Sequence, residues 1–197
     1  MPYKKLSEVR MKIILLFSVI FLMSVTGNSQ VRMNADIEKT TLSWLGEKVL
    51  GKHTGTIILK DGWLNWDGQR ILAGEFTIDM TSIKDSDGSV RLESHLKSED
   101  FFGVEKFPVS NLVLTGSDPF DKGSAVVRGI LTIKGITNPI EFKAAVQKKD
   151  DGIWFYAKIF IDRTKYNVRY GSGSFFSNLG DSTIFDEFEV KVNLLVK

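Results

Sequence analysis

From Ala35 to the C-terminus, apolar and polar residues alternate with a period of two in run after run. A period of two puts every second side chain on one face, so each run predicts a strand with one buried face. In Ile71–Met80, Phe76, Ile78 and Met80 oppose Glu75, Thr77 and Asp79; in 184–196, Phe188, Val190, Val192, Leu194 and Val196 oppose Glu187, Glu189, Lys191 and Asn193. Phe155, Ala157, Ile159 and Ile161 share a face of the run 153–163, as do Ile140, Phe142, Ala144 and Val146 of 137–148. Further strands are expected at Val109–Gly116 and Ser124–Lys134. Asp61-Gly62 between Ile57–Lys60 and Trp63–Trp66 predicts a two-residue hairpin turn, and Asp67-Gly68 and Asp150-Asp151-Gly152 repeat the signal. Eight or nine short strands at regular spacing predict an all-β fold, an antiparallel barrel or a sandwich.

One stretch breaks the period. Val90 to Pro108 reads VRLESHLKSEDFFGVEKFP. Leu92 and Leu96 have helical spacing. Ser98 ahead of Glu99 and Asp100 predicts the start of a second short helix. Phe101, Phe102 and Phe107 add more apolar surface than one helical turn hides. Such an insert in a β protein is either a plug on a core or a lid on a cavity.

The first 27 residues read as a separate unit. Lys4, Lys5, Arg10 and Lys12 precede an apolar run, Ile13 to Val25, too short to span a bilayer, and small residues follow it. This is the pattern of a secretory signal peptide over residues 1–27, with cleavage near 27–29, followed by one domain over 28–197. With no Cys in the chain, there is no lipobox and no disulfide framework. A periplasmic or secreted product is expected, with no transmembrane helix in its mature part. The 22 basic and 23 acidic residues left after Gly27 give a net charge of −1, which leaves no nucleic-acid footprint.

Catalytic motifs fail on inspection. Gly46–Lys52 has phosphate-loop spacing, but His53 stands where Ser or Thr is needed and a β-branched run follows. Asp85-Ser86-Asp87-Gly88 resembles part of a calcium loop, but alignment on Gly88 places Ile83 and Ser94 at ligand positions. His53 and His95 are the two histidines; a metal-assisted hydrolase built around them is a third-ranked reading, and no metal site and no cofactor are expected. No nucleophile elbow or marked carboxylate pair is visible. The aromatic residues remain, and they either fill the interior or line a cavity for a long apolar ligand.

Several motifs, in order, resemble the YceI family of exported lipid-binding proteins. They are Gly51-Lys52-His53-Thr54-Gly55; Gly74-Glu75-Phe76-Thr77-Ile78-Asp79; His95-Leu96-Lys97-Ser98 with Asp100-Phe101-Phe102 and Lys106-Phe107-Pro108; Arg128-Gly129 with Leu131–Gly135 and Thr137-Asn138-Pro139; and Ile161-Asp162-Arg163 with Tyr166-Asn167-Val168. The resemblance spans nearly the whole mature chain. It implies an eight-stranded antiparallel lipocalin-like barrel with the helical insert as a lid over one mouth. It also implies a binding protein rather than an enzyme, whose ligand is an isoprenoid, an isoprenoid quinone or a fatty-chain lipid. The expected apolar wall is Phe76, Leu92, Leu96, Phe101, Phe102, Leu114, Phe142, Phe155, Ile159 and Phe188. The expected polar mouth is His53, His95, Asp162, Arg163 and Tyr166, with an Arg suited to a phosphate. Transient contact with a membrane or a membrane protein fits a carrier, and a homodimer is compatible with an exposed barrel edge. The Tyr170–Ser182 loop is longer and richer in Gly and Phe than the family pattern; it would cover the other mouth, narrow the cavity or close it. The competing reading is an interaction protein, its barrel filled and its aromatic loops shown to a partner.

Overall fold

The computed structural model describes residues 30–197; the expected signal peptide lies outside them. The strands are β1 (Val31–Asn34), β2 (Thr41–Lys48), β3 (Gly51–Trp66), β4 (Ile71–Asp85), β5 (Val109–Ser117), β6 (Ser124–Ile133), β7 (Ile136–Lys149), β8 (Gly152–Asp162) and β9 (Glu187–Val196), of which β1 and β2 match no run singled out in the sequence. The insert forms one helix, α1 (Val90–Lys97). Strands β2 to β9 pair antiparallel with their chain neighbours, and β9 returns to pair with β2, so the sheet closes as an eight-stranded barrel. β1 lies in line with β2 along the same edge of β3, pairing with Trp63–Trp66 while β2 pairs with Gly51–Ile57. It also reaches β9: Asn34 and Lys197 exchange backbone hydrogen bonds at 2.8 and 2.9 Å. β1 and β2 thus fill one slot between β3 and β9, and among the described residues no long edge is left open for another chain.

The turn signals resolve unequally. Asp67-Gly68 is a turn: Gly68 has φ +96°, and Asp67 Oδ1 accepts from the Gln69 and Arg70 amides. Lys134 and Gly135, at φ +53° and +73°, make the tight β6–β7 connection. Asp61-Gly62 is not a turn. β3 runs straight through it, with a bulge at Lys60, and Gly62 pairs with Phe76. Glycine is needed there for space: a Cβ would lie 2.3 Å from the Phe76 ring. The second helix expected at Ser98 does not form either. Ser98 is instead the C-cap of α1, its amide and hydroxyl both donating to His95 O. The chain then folds back as turns, with Gly103 N bonded to Ser98 O and Val104 N to Lys97 O. The N-cap is Ser89, which accepts the Leu92 amide.

The apolar faces meet inside. At the end of the barrel away from α1, Trp66, Phe120 and Phe155 form an edge-to-face trio with centroids 5.4–5.7 Å apart. They sit among fully buried Leu64 and Val196. At the α1 end, Leu96, Phe101, Val104 and Val168 pack over Met80 and Ile83.

Gly55→Ala tests the tightest strand approach. Its Cβ would fall 1.9 Å from the Lys84 carbonyl oxygen and 2.4 Å from the Trp44 ring, so urea denaturation should show a loss of about 1–3 kcal/mol or more. At Gly46 nothing lies within 4 Å of an added Cβ, and Gly46→Ala should stay within about 0.5 kcal/mol of the parent.

Candidate functional site: an apolar cavity under a helical lid

All eight barrel strands turn apolar side chains toward one internal cavity of about 230 Å³. Packed interiors hold few voids larger than a water molecule, so this space is a feature of the fold. Small residues help create it. Ala144 and Ala157 stand opposite each other on β7 and β8 and both face the cavity. Gly46 and Ser110 line it on β2 and β5. The aromatic trio at the far end includes Phe155, which therefore forms part of the cavity floor.

The lid covers the other end. Leu96, Phe101 and Phe102 border the cavity. Phe101 and Phe102 meet edge to face at 5.2 Å, and Phe102 reaches Phe188 at 6.2 Å. Lys134 latches the insert to the β6–β7 turn: its Nζ donates to Glu99 O and Phe101 O, each at 2.7 Å. Burial pulls the Lys134 pKa below its ordinary value, against the opposing charges of Asp100 and Glu99. At the hinge, Asp85 Oδ2 accepts the Ser89 amide and Glu93 Oε1 accepts the Asp85 amide.

Phe76, Leu96, Phe101, Phe102, Leu114, Phe142, Phe155, Ile159 and Phe188 border the cavity; Leu92 does not. It is half-buried against the Met80 and Phe101 cluster. α1 starts on the rim where β4 ends, so its first turn rests on that rim and its second reaches over the opening. The cavity also takes in Trp44, Met80, Leu131, Ile161 and Val192, which the sequence reading left out. Strand parity was the signal for some of them: Ile161 shares a face with Phe155 and Ile159, and Val192 with Phe188.

The residues expected at a polar mouth are mostly committed to the fold. Arg163 is 2% exposed and borders the cavity. Its Nε donates to Phe185 O, one terminal nitrogen to Val168 O and Tyr170 O, and the other to Ile184 O, all at 2.9–3.0 Å. That other nitrogen also lies 3.6 Å from Asp186 Oδ1. A guanidinium has five N–H donors; four are spent on these carbonyls and the group is buried beside Asp186, which leaves little for the phosphate role expected of it. Burial lowers the Arg163 pKa, opposed by Asp186 and Asp162. Burial acts upward on Asp186, but hydrogen bonds from Ser172 and Ser174 and the Arg163 charge outweigh it and hold the carboxyl below its usual range. Asp162 caps the short turn Arg163–Tyr166, accepting the Thr164 amide and hydroxyl. Tyr166 is 3% exposed, and burial, with the Asp162 charge, raises its pKa. His95 packs against Tyr170 at 4.4 Å and Phe101 at 5.6 Å. His53 sits at the start of β3, 3.9 Å from Asp85.

The Tyr170–Ser182 loop lies at the lid end and not at the opposite mouth. Tyr170 touches His95, Val49 N donates to Thr183 O, and Phe185 N donates to Glu47 O. Ser172 is fully buried, while Tyr170, Phe175, Phe176 and Phe185 are exposed.

The YceI-like domain family matches residues 29–196. A UPF0312 protein of Pseudomonas putida strain W619 is 29% identical over 100 residues, 51% of this chain and 52% of that protein. One from Shewanella denitrificans is 24% identical over 110 residues, 55% of this chain and 58% of that protein. The chain thus spans about half the length of the curated relatives it matches. Burkholderia cenocepacia BcnA superposes with a TM-score of 0.64 at 21% identity, covering 83% of this chain and 99% of that one. A polyisoprenoid binding domain from Saccharophagus degradans, implicated in plant cell wall breakdown, gives 0.63 at 15% identity, covering 84% and 97%. At those identities the likeness is one of fold.

Arg163→Met should leave buried carbonyls unpaired and cost about 3 kcal/mol or more. Amides from Val168 to Ile184 should exchange much faster while those of β5–β7 stay protected. Arg163→Lys, which cannot reach four carbonyls at once, should recover less than half of the loss.

Proposed function

Since the chain belongs to the YceI-like domain family, we propose that its barrel holds a long apolar ligand: an isoprenoid, an isoprenoid quinone or a fatty-chain lipid. The observation that carries this reading is the cavity, bordered almost wholly by hydrocarbon, with Phe155 in its floor and α1 over its mouth. An unbranched or methyl-branched tail gains roughly 0.8 kcal/mol per buried CH₂. Discrimination by length and width then follows from the floor and from the gap at Ala144 and Ala157. The name of the Saccharophagus relative, a polyisoprenoid binding domain, points to the same ligand class. A role in binding rather than catalysis is in keeping with the apolar lining.

The protein acts, on this reading, as a carrier or reservoir in the periplasm or outside the cell, exported by the segment 1–27. No helix among the described residues is long and apolar enough to cross a membrane. Delivery to a bilayer would use the lid end, where Leu50, Phe175, Phe176 and Phe185 are exposed; aromatic residues favour the headgroup level of membranes. The exposed pair Phe175 and Phe176 also supports a second reading, a loop shown to a protein partner.

Mass spectrometry of an organic extract of the natively produced protein tests the proposal. A long-chain lipid at near one per chain is expected. An extract still free of lipid after exposure to isoprenoid and fatty-chain candidates would leave the second reading. Ala157→Phe should fill the cavity and remove lipid uptake while the circular dichroism spectrum stays that of the parent; unchanged uptake would show that the ligand does not occupy this space.

A further inference from the structure

The hinge of the lid holds polar atoms that the apolar cavity does not use. His53 opens β3 and Asp85 ends β4. Pairing places Gly55 opposite Asp85, and Ser86 N donates to Thr54 O at 2.8 Å. This brings His53 Nδ1 to 3.9 Å from Asp85 Oδ1, beyond hydrogen-bonding distance. Both atoms are buried and have no hydrogen-bond partner among the described residues. The Asp85 side chain has no exposed surface, and its other oxygen is taken by the Ser89 amide at 3.0 Å. Exposed Asp87 completes a group whose ligand atoms all lie within 4.8 Å of one another.

A buried carboxylate oxygen and a buried imidazole nitrogen that face each other across such a gap without a hydrogen-bond partner are costly. A cation between them meets both. Zinc sits about 2.0–2.2 Å from imidazole nitrogen and carboxylate oxygen, so two of its ligands at a tetrahedral angle stand ~3.4 Å apart. The His53–Asp85 spacing of 3.9 Å reaches that value with a shift of about 0.5 Å, within the swing of a half-exposed imidazole. Asp87 is on an exposed turn next to Gly88, whose φ is +72°, and a small movement there brings its carboxylate in.

We propose that His53, Asp85 and Asp87 bind one zinc-class divalent cation at the hinge of the lid. The imidazole argues against calcium and magnesium, which take oxygen ligands. Two carboxylates without a thiolate argue against the softer copper(I). The Asp85-Ser86-Asp87-Gly88 turn therefore does not supply a calcium loop by itself; it supplies two ligands to a site whose third comes from β3. The location gives the ion a role. Asp85 would hold the cation with one oxygen and the N-terminus of α1 with the other, while Glu93 of α1 receives the Asp85 amide at 3.1 Å. A bound cation would fix the barrel rim and the first turn of the lid to the same carboxylate and so slow opening of the mouth.

Tag-free protein stripped with EDTA and titrated with zinc chloride, then with calcium chloride, in a calorimeter tests the site. One zinc per chain is expected, with a raised melting temperature. His53→Gln and Asp87→Asn should each weaken zinc binding at least tenfold; both positions have exposed surface, so these variants should fold even where Asp85→Asn does not. Hydrogen exchange of the α1 amides should slow when zinc is bound. The site is overturned by absence of zinc binding, by zinc binding that survives both variants, or by calcium binding as tight as that of zinc. Zinc binding that leaves α1 exchange unchanged would overturn the hinge role.

Discussion

Pairing of β2 with β9, from Thr41 opposite Asn193 to Leu45 opposite Glu189, closes the sheet, and the rest of the molecule depends on that closure. A closed barrel has one inside, so the apolar face of every strand is committed to it and every polar face to solvent. Eight strands also set the radius, about that at which side chains either just fill the interior or leave room for one small ligand. Here Ala144, Ala157, Gly46 and Ser110 line the interior with little side-chain volume, and space remains. β1 extends the closing slot, and Asp36, where β1 leaves the sheet, is tied to Lys197 at 2.7 Å. The hydrogen bond from Lys197 is the main reason the Asp36 carboxyl stays below its usual range.

The two ends solve different problems. At the floor, rings of Trp66, Phe120 and Phe155 close the barrel, with Phe120 reaching in from the β5–β6 connection and its amide bonded to Gln69 O. At the lid, the chain itself crosses the opening, and its carbonyls need donors. Two cations supply them: Lys134 meets Glu99 O and Phe101 O, and Arg163 gathers four carbonyls between Val168 and Phe185. These two side chains take the place that a strand ladder has elsewhere in the barrel. The same need for donors explains why Arg163, which looks from the sequence like a receptor for an anionic head group, is spent on the protein's own backbone.

Some local signals carried over and others did not, for reasons of the same kind. Parity along β8 and β9 placed Phe155, Ile159 and Phe188 inside because alternation needs no knowledge of what stands across. Asp67-Gly68 and Asp61-Gly62 are alike as dipeptides, yet one turns and the other continues a strand. At Asp61-Gly62 the pairing with Thr77 and Phe76 carries the strand through, and the glycine serves the close approach of the Phe76 ring. Ser98 has the company of an N-cap, but the turn before it had already become α1, so the same hydroxyl serves a C-terminus.

Strand period, the faces of the strands, the tight connection at Asp150-Asp151, and the helical interruption are legible in the chain, because each rests on neighbours a few residues apart. The resemblance to the YceI family added the barrel and the lid. Whether the interior is full or hollow needed three dimensions, since it turns on ring volumes from eight strands meeting at one axis. So did the side of the barrel taken by the Tyr170–Ser182 loop, which hangs on the Ser172 and Val49 contacts. The meeting of His53 with Asp85 has the same origin: thirty-two residues of chain separate them, and the β3–β4 register brings them to 3.9 Å.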